Sequence, residues 1–111
     1  MRYAVRLPMP PSVNRYWRTF RGRVLVSAEG REYRRVVGLH IATTQRGPMF
    51  VAPVYVAIVL NPPDKRRRDL DNVLKALLDS ITAAGIWGDD SQVDGLRITR
   101  GERVAGGSVY V

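Results

Sequence analysis

The sequence predicts an α+β domain of two layers, a mixed β-sheet of about four strands covered by two main helices. Strand-like runs at Tyr3–Leu7, Val54–Leu60, Leu96–Arg100 and Ser108–Val111 supply the sheet. Two segments of helical periodicity, from Ser27 to about Thr43 and from Asp69 to Ala84, supply the helices. The chain has 111 residues, enough for one domain over 1–111 that buries roughly two-thirds of its unfolded surface.

Each element follows from local chemistry. Tyr3, Val5 and Leu7 alternate with Arg2, Ala4 and Arg6, as in a half-buried strand, and Pro8 to Pro11 end it. Ser12 to Arg18 is then expected to be a loop rich in Arg and aromatics. Arg21-Gly22-Arg23 reads as a turn into a short strand, Val24-Leu25-Val26. Ser27 is placed to cap a helix in which Tyr33, Val36, Val37 and Ile41 share a face and Glu29 lies in the first turn. Val54 to Leu60 is almost continuously apolar and β-branched, which predicts a central strand covered on both faces.

Asn61-Pro62-Pro63-Asp64 stops that strand. Leu70, Val73, Leu74, Leu77, Leu78, Ile81 and Ala84 then mark the strongest helix, and Gly85 is its expected C-cap. Trp87-Gly88-Asp89-Asp90 reads as a turn. The strand at 96–100 is expected to pair with Ser108–Val111 across the glycine-rich loop from Gly101 to Gly107.

Charge narrows the function. Lys and Arg outnumber Asp and Glu by 18 to 10, giving a net charge of +8, and sixteen of the eighteen are Arg. The planar guanidinium suits bidentate phosphate contacts, so nucleic acid is the leading partner. There is no cysteine, which removes disulfides, zinc-thiolate sites and Cys nucleophiles. The single histidine, His40, lies in the apolar stretch Val36 to Ile41 and reads as a partly buried helix residue. No apolar run approaches a membrane span and no signal-peptide core is present, so a cytoplasmic protein, nucleoid-associated through DNA, is expected.

Seven of the ten acids fall between Asp64 and Asp94, inside or beside the run Lys65-Arg66-Arg67-Arg68-Asp69-Leu70-Asp71-Asn72. An acid at a helix start is ordinary, and Asp71 with Lys75 is a favourable i, i+4 pair. Four cations at the positive end of the same helix are not ordinary, unless they bind an external anion. Inside a helix, carboxylates two residues apart diverge by about 200°. Asp69 and Asp71 therefore converge only if Asp69 has non-helical angles at the cap. With no cysteine and no usable histidine, the metal chemistry open to Asp69, Asp71 and one of Asp89 or Asp90 is oxygen-ligated Mg²⁺, or Mn²⁺. Lys75 is placed to offset charge on a reacting phosphate, while Asn14, Arg15, Tyr16, Trp17 and Arg18 offer a DNA surface whose two aromatics read equally well as plugs of the core or dimer interface.

These segments resemble the RusA family of Holliday-junction resolvases. The shared residues are Leu7-Pro8-Met9-Pro10-Pro11-Ser12-Val13-Asn14-Arg15-Tyr16-Trp17, Val26 to Gly30, Pro63 to Asn72 with Lys75, and Asp79, Ala84-Gly85 and Trp87 to Val93. Lys65 stands where members often carry another Arg. The resemblance implies a homodimeric, Mg²⁺-dependent endonuclease that makes paired, symmetric nicks in four-way DNA junctions with activated water. It implies Asp69, Asp71 and Asp90 as catalytic metal-binding acids and Lys75 as an essential basic residue. Asn14, Arg15, Arg18, Lys65, Arg66, Arg67, Arg68 and Asn72 are the expected DNA-binding residues. A non-catalytic basic nucleic-acid-binding module is the alternative, and a ribonuclease using the same cluster is a third.

Overall fold

The computed structural model describes residues 3–44, 50–65, 69–104 and 106–111. In chain order the elements are β1 (Arg6–Pro8), α1 (Val13–Tyr16), β2 (Trp17–Phe20), β3 (Arg23–Val26), α2 (Ala28–Thr44) and β4 (Val54–Asn61). A 3₁₀ turn at Leu70–Val73 leads into α3 (Leu74–Ala84), and another at Asp90–Gln92 leads into β5 (Val93–Arg100) and then β6 (Ser108–Tyr110). The main sheet is four-stranded and mixed, in the order β1-β6-β4-β5, and β2 with β3 forms a separate hairpin. The α+β class and two-layer plan match the sequence prediction.

The core forms where both helices pack on one face of the sheet. Tyr33, Val37 and Ile41 of α2 and Leu77 and Ile81 of α3 cluster with Val56, Ile58 and Leu60 of β4. Tyr55 and Ala57 alternate to the other face, where Tyr55 is 82% exposed, so the continuous apolar run does not mean a strand covered on both faces. Period-2 alternation sends every second side chain outward, and both helices lie on the opposite side.

Two further expectations are corrected. β6 does not pair with β5; it lies between β1 and β4, antiparallel to both, with Leu7↔Val109 and Leu60↔Val109 in register. The loop after β5 crosses the end of β4, where Gly101 N–H donates to the Leu60 carbonyl at 2.8 Å and Val104 N–H to that of Pro62 at 3.0 Å. The segment 12–18 is not a loop either. Arg15 and Tyr16 N–H both bond to the Ser12 carbonyl, at 3.0 and 2.9 Å, making one helical turn before β2. β2 and β3 close through Arg21 and Gly22, whose φ values of 51° and 74° give the left-handed pair that a two-residue hairpin turn requires.

The caps are as expected. Ser27 Oγ accepts the Gly30 N–H at 3.0 Å at the start of α2. Gly85, with φ 88°, ends α3 in the left-handed conformation. His40 is half-buried on α2. Among the described residues no helix is long and apolar enough to cross a membrane.

β4 and β5 run parallel, with Val54↔Val93 at one end and Leu60↔Arg100 at the other, and α3 is the crossover between them. The sheet therefore has an Asn61 end, shared with Pro8 and Ser108, and a Val54 end, beside Val5 and Val111.

Candidate functional site

Asp69 is the hinge of the site. Its φ of −80° and ψ of 135° are extended, and the helical angles begin at Leu70, so the element boundary falls where convergence of Asp69 with Asp71 requires it. Its carboxylate makes no cap hydrogen bond; only its carbonyl is used, accepting the Asn72 N–H at 3.2 Å. Both Asp69 and Asp71 are exposed. Val73, buried, and Leu70, partly buried, anchor this 3₁₀ turn to the core and leave Asp71 facing outward. Asp69 and Asn72 also line a groove of about 600 Å³ at the Asn61 end, together with Pro63, Arg15, Glu29 and Glu32.

Lys75 comes next, in the first turn of α3, exposed, with its Nζ 5.9 Å from the centroid of the Trp17 ring. Beneath it lies a network that sequence reasoning missed. Tyr16, fully buried, donates its hydroxyl hydrogen to Asp79 Oδ2; Arg34 donates Nε–H to the Tyr16 oxygen at 2.7 Å and a second hydrogen bond to Asp79. Burial works to raise the Asp79 pKa, but the hydrogen bonds from Tyr16 and Arg34 and the charges of Arg34 and Lys75 bring it below its ordinary value. Burial, then the hydrogen bond to Asp79, pushes Tyr16 up to about 12, so it stays a donor. The usable sequence signal was Asp79 one turn after Lys75 on α3, flanking the core positions Leu77 and Ile81.

Of the other predicted residues, Arg15 lines the groove of Asp69 and Asn72, whereas Asn14, Arg18 and Lys65 do not. Asn14 is exposed on α1, and Arg15 is held by Glu29 through two hydrogen bonds, at 3.1 and 2.6 Å. Arg18 lies on the projecting hairpin, where its guanidinium and that of Arg21 stand 5.5 and 5.3 Å from the ring of Phe20, which is 50% exposed. Phe20 was not singled out from sequence, although Arg18 and Phe20 alternate onto one side of a strand. Lys65 is exposed; Arg66, Arg67 and Arg68 lie outside the described residues.

Asp90 is the residue the chain does not bring to this place. It opens the 3₁₀ turn at 90–92, directly before Val93, which pairs with Val54. Gln92 ties that turn to the same end, donating to the carbonyls of Phe50 and Ala52 at 2.9 and 3.2 Å and accepting the Gly88 N–H at 2.8 Å. Asp69 is at the Asn61 end, so β4, eight residues and roughly 26 Å long, separates the two within one chain. A parallel crossover does this unavoidably: the segment leaving the first strand and the segment entering the second lie at opposite ends of the sheet. The side chain of Asp90 lies outside the described residues, while Asp89 Oδ1 accepts the Ser91 N–H at 3.2 Å. Among the described residues, no three His, Asp or Glu side chains meet in a metal-holding group.

Exposed, uncapped acids at a helix start on a strongly basic α+β domain point to the class of DNA-cleaving enzymes, and comparison with known proteins agrees. The family profile described as "Endodeoxyribonuclease RusA" matches residues 8–111. The chain belongs to the RusA family. It is 46% identical over 105 residues to the crossover junction endodeoxyribonuclease RusA of Escherichia coli (strain K12), covering 95% of this chain and 88% of that one. The crossover junction endodeoxyribonuclease of Enterobacteria phage HK97 is 41% identical over 109 residues, covering 98% and 91%. That of Enterobacteria phage 82 is 45% identical over 105 residues, covering 95% and 88%.

Proposed function

We propose that this chain is a crossover junction endodeoxyribonuclease that resolves four-way DNA junctions by paired hydrolytic nicks, as a Mg²⁺-dependent homodimer. The observation that carries the reading is the arrangement at the Asn61 end: Asp69 extended and uncapped, Asp71 facing outward from the next turn, and Lys75 beyond it in the first turn of α3. A helix that only needed capping would have used the Asp69 carboxylate on its free N–H groups.

The donor set fits a hard cation. Asp69 and Asp71 offer only oxygen, and Mg²⁺ or Mn²⁺ takes one or two carboxylates with water and phosphate. Asp90 stands at the opposite end of the sheet in its own chain, so the third acid of each site is assigned to Asp90 of a second copy. When bound, the ion supplies Lewis-acid stabilisation of the phosphoryl oxygens and lowers the pKa of the attacking water. Lys75 contributes a fixed positive charge beside the reacting phosphate, stabilising the oxygens on which charge develops. Asp89, the neighbouring acid, accepts the Ser91 N–H through Oδ1.

Several surfaces support the substrate and the assembly. A net charge of +8 favours a phosphate backbone. Phe20, bracketed by Arg18 and Arg21 at the hairpin, offers a stacking face for a base left open near a junction centre. Lys65, with Arg66 to Arg68, supplies cations next to Asp69. The outer sheet face, with Tyr55 82% exposed and Ala57 exposed beside it, is apolar surface that a second copy would cover. Two-fold symmetry then presents two sites to two strands related by the same axis. The cytoplasm, where such junctions arise in a cell without a nucleus, is the proposed location.

Labelled four-way junctions incubated with the protein and Mg²⁺ test this. Symmetric nicks are expected, lost in Asp71→Asn while junction binding persists. A wild-type protein that cuts nothing with Mg²⁺ or Mn²⁺ would defeat the reading.

A further inference from the structure

Trp17 reads from sequence as either a DNA contact or a plug of the core or dimer interface, and the structure leaves it outside the buried core. It is half-buried at the start of β2, edge-on to the buried Tyr16, with ring centroids 5.1 Å apart and planes at 86°. Its face is turned to α3, where the Lys75 ammonium stands 5.9 Å from the ring centroid. Nothing in the packing of the core requires an indole there: the fully buried side chains include Tyr16, Leu77 and Ile81, but not Trp17.

We propose that Trp17 is a positioning residue for the reaction, whose ring holds the Lys75 ammonium at the Asn61 end while Asp79, one helical turn further on, supplies the counter-charge that keeps it there. This rests on the proposed role of Lys75. A lysine on an exposed turn has four rotatable bonds and loses rotamer freedom when it is held. An aromatic face beside the cation restricts it without neutralising it, whereas a direct carboxylate partner alone would draw it away from phosphate.

The arrangement is itself held from beneath. Tyr16, the residue before Trp17, is tied through its hydroxyl to Asp79, and Arg34 of α2 bonds to both. The ring of Trp17 and the helix carrying Lys75 are thus fixed to one another by hydrogen bonds that bypass the hairpin. Three separate segments, around Tyr16, Arg34 and Asp79, meet on one carboxylate. The consequence is a lysine whose charge is pre-placed before DNA arrives, which is how electrostatic stabilisation gains over a mobile charge.

Single-turnover cleavage of a saturating four-way junction, measured for Trp17→Leu, Trp17→Phe, Lys75→Ala and the double variant Trp17→Leu/Lys75→Ala, tests the proposal. Trp17→Leu should cut about fivefold more slowly, the worth of an exposed cation–π contact, and Trp17→Phe should recover most of the loss. Junction affinity without divalent metal should be the same in all the Trp17 variants and wild type. In the Lys75→Ala background, Trp17→Leu should add no further loss. The proposal is overturned if the losses multiply in the double variant, if Phe fails to rescue, or if Trp17→Leu weakens junction binding, which would make Trp17 a DNA contact. Should Lys75→Ala itself cut at the wild-type rate, the assigned role of Lys75 fails first, and the two failures are thereby told apart.

Discussion

Tyr16 and Asp79 lie 63 positions apart in sequence and share one hydrogen bond, through which the segment after the proline-rich turn is fastened to the helix that carries Lys75. Arg34 closes the triangle, paired with the same carboxylate and bonded to the same hydroxyl. Tyr16 is buried completely, so its ring fills core space while its hydroxyl does the fastening. Removing that hydroxyl in Tyr16→Phe leaves Asp79 and Arg34 each short of a partner. A loss of about 1.5–3 kcal/mol in unfolding free energy is expected, the range for a hydrogen bond to a charged group. Urea denaturation of the two proteins measures it, and an unchanged midpoint would mean the hydroxyl is idle.

The same carboxylate sets an acid limit. Burial alone would raise the Asp79 pKa, yet the hydrogen bonds from Tyr16 and Arg34 outweigh it, and the folded value lies below the usual 3.8. The folded state thus binds the Asp79 proton less readily than the unfolded chain does, and the stabilisation is fully present above the unfolded value. It is lost as pH falls through the folded one. Thermal midpoints recorded from pH 7 down to about pH 2 should fall more steeply for wild type than for Asp79→Asn on the acid limb, with the variant the less stable near neutrality. Parallel acid limbs would show that Asp79 contributes no linkage.

Gly30 is required by what approaches it. A Cβ at this position would come within 2.8 Å of the Tyr16 carbonyl oxygen and of a Val26 methyl. The Tyr16 carbonyl is already engaged, accepting the Ser27 N–H at 2.8 Å, so it cannot retreat freely. Gly30→Ala should therefore destabilise by about 1–3 kcal/mol, although alanine is the better helix former. Calorimetry decides it: a raised melting temperature would mean that propensity wins over the clash.

Much of the fold was legible in the sequence for definite reasons. Ser27 and Gly85 are caps whose chemistry is local, and the Leu70 to Ala84 periodicity is long enough to leave one answer. The pairing of β6 was not legible. Ser108–Tyr110 comes soon after β5 and would form a hairpin by proximity alone, but β1 and β4 offer it a buried slot between two strands. The apolar run of β4 suggested cover on both faces; composition cannot distinguish an intramolecular cover from a surface left open, as Tyr55 is.

The candidate site was legible to the same degree. That Asp69 lies at an element boundary follows from the prolines before it and the periodicity after it, and the extended angles there agree. Where Asp90 falls could not be read from spacing, because it depends on β4 and β5 being parallel. The Tyr16–Arg34–Asp79 network joins three distant segments, and no local pattern announces such a meeting.

The most direct test of a site shared between two copies mixes two inactive proteins. Asp71→Asn and Asp90→Asn are each expected to form dimers and bind four-way junctions without cutting them. In a mixed dimer, one site would contain both substitutions and the other neither. Co-refolding equal amounts should therefore restore nicking to about one quarter of the wild-type level, since half the dimers are mixed and each has one working site of two. A mixture that stays as inactive as its parents, with mixed dimers demonstrated by mass after ¹⁵N labelling of one variant, would contradict a site built from Asp69 and Asp71 of one copy and Asp90 of the other.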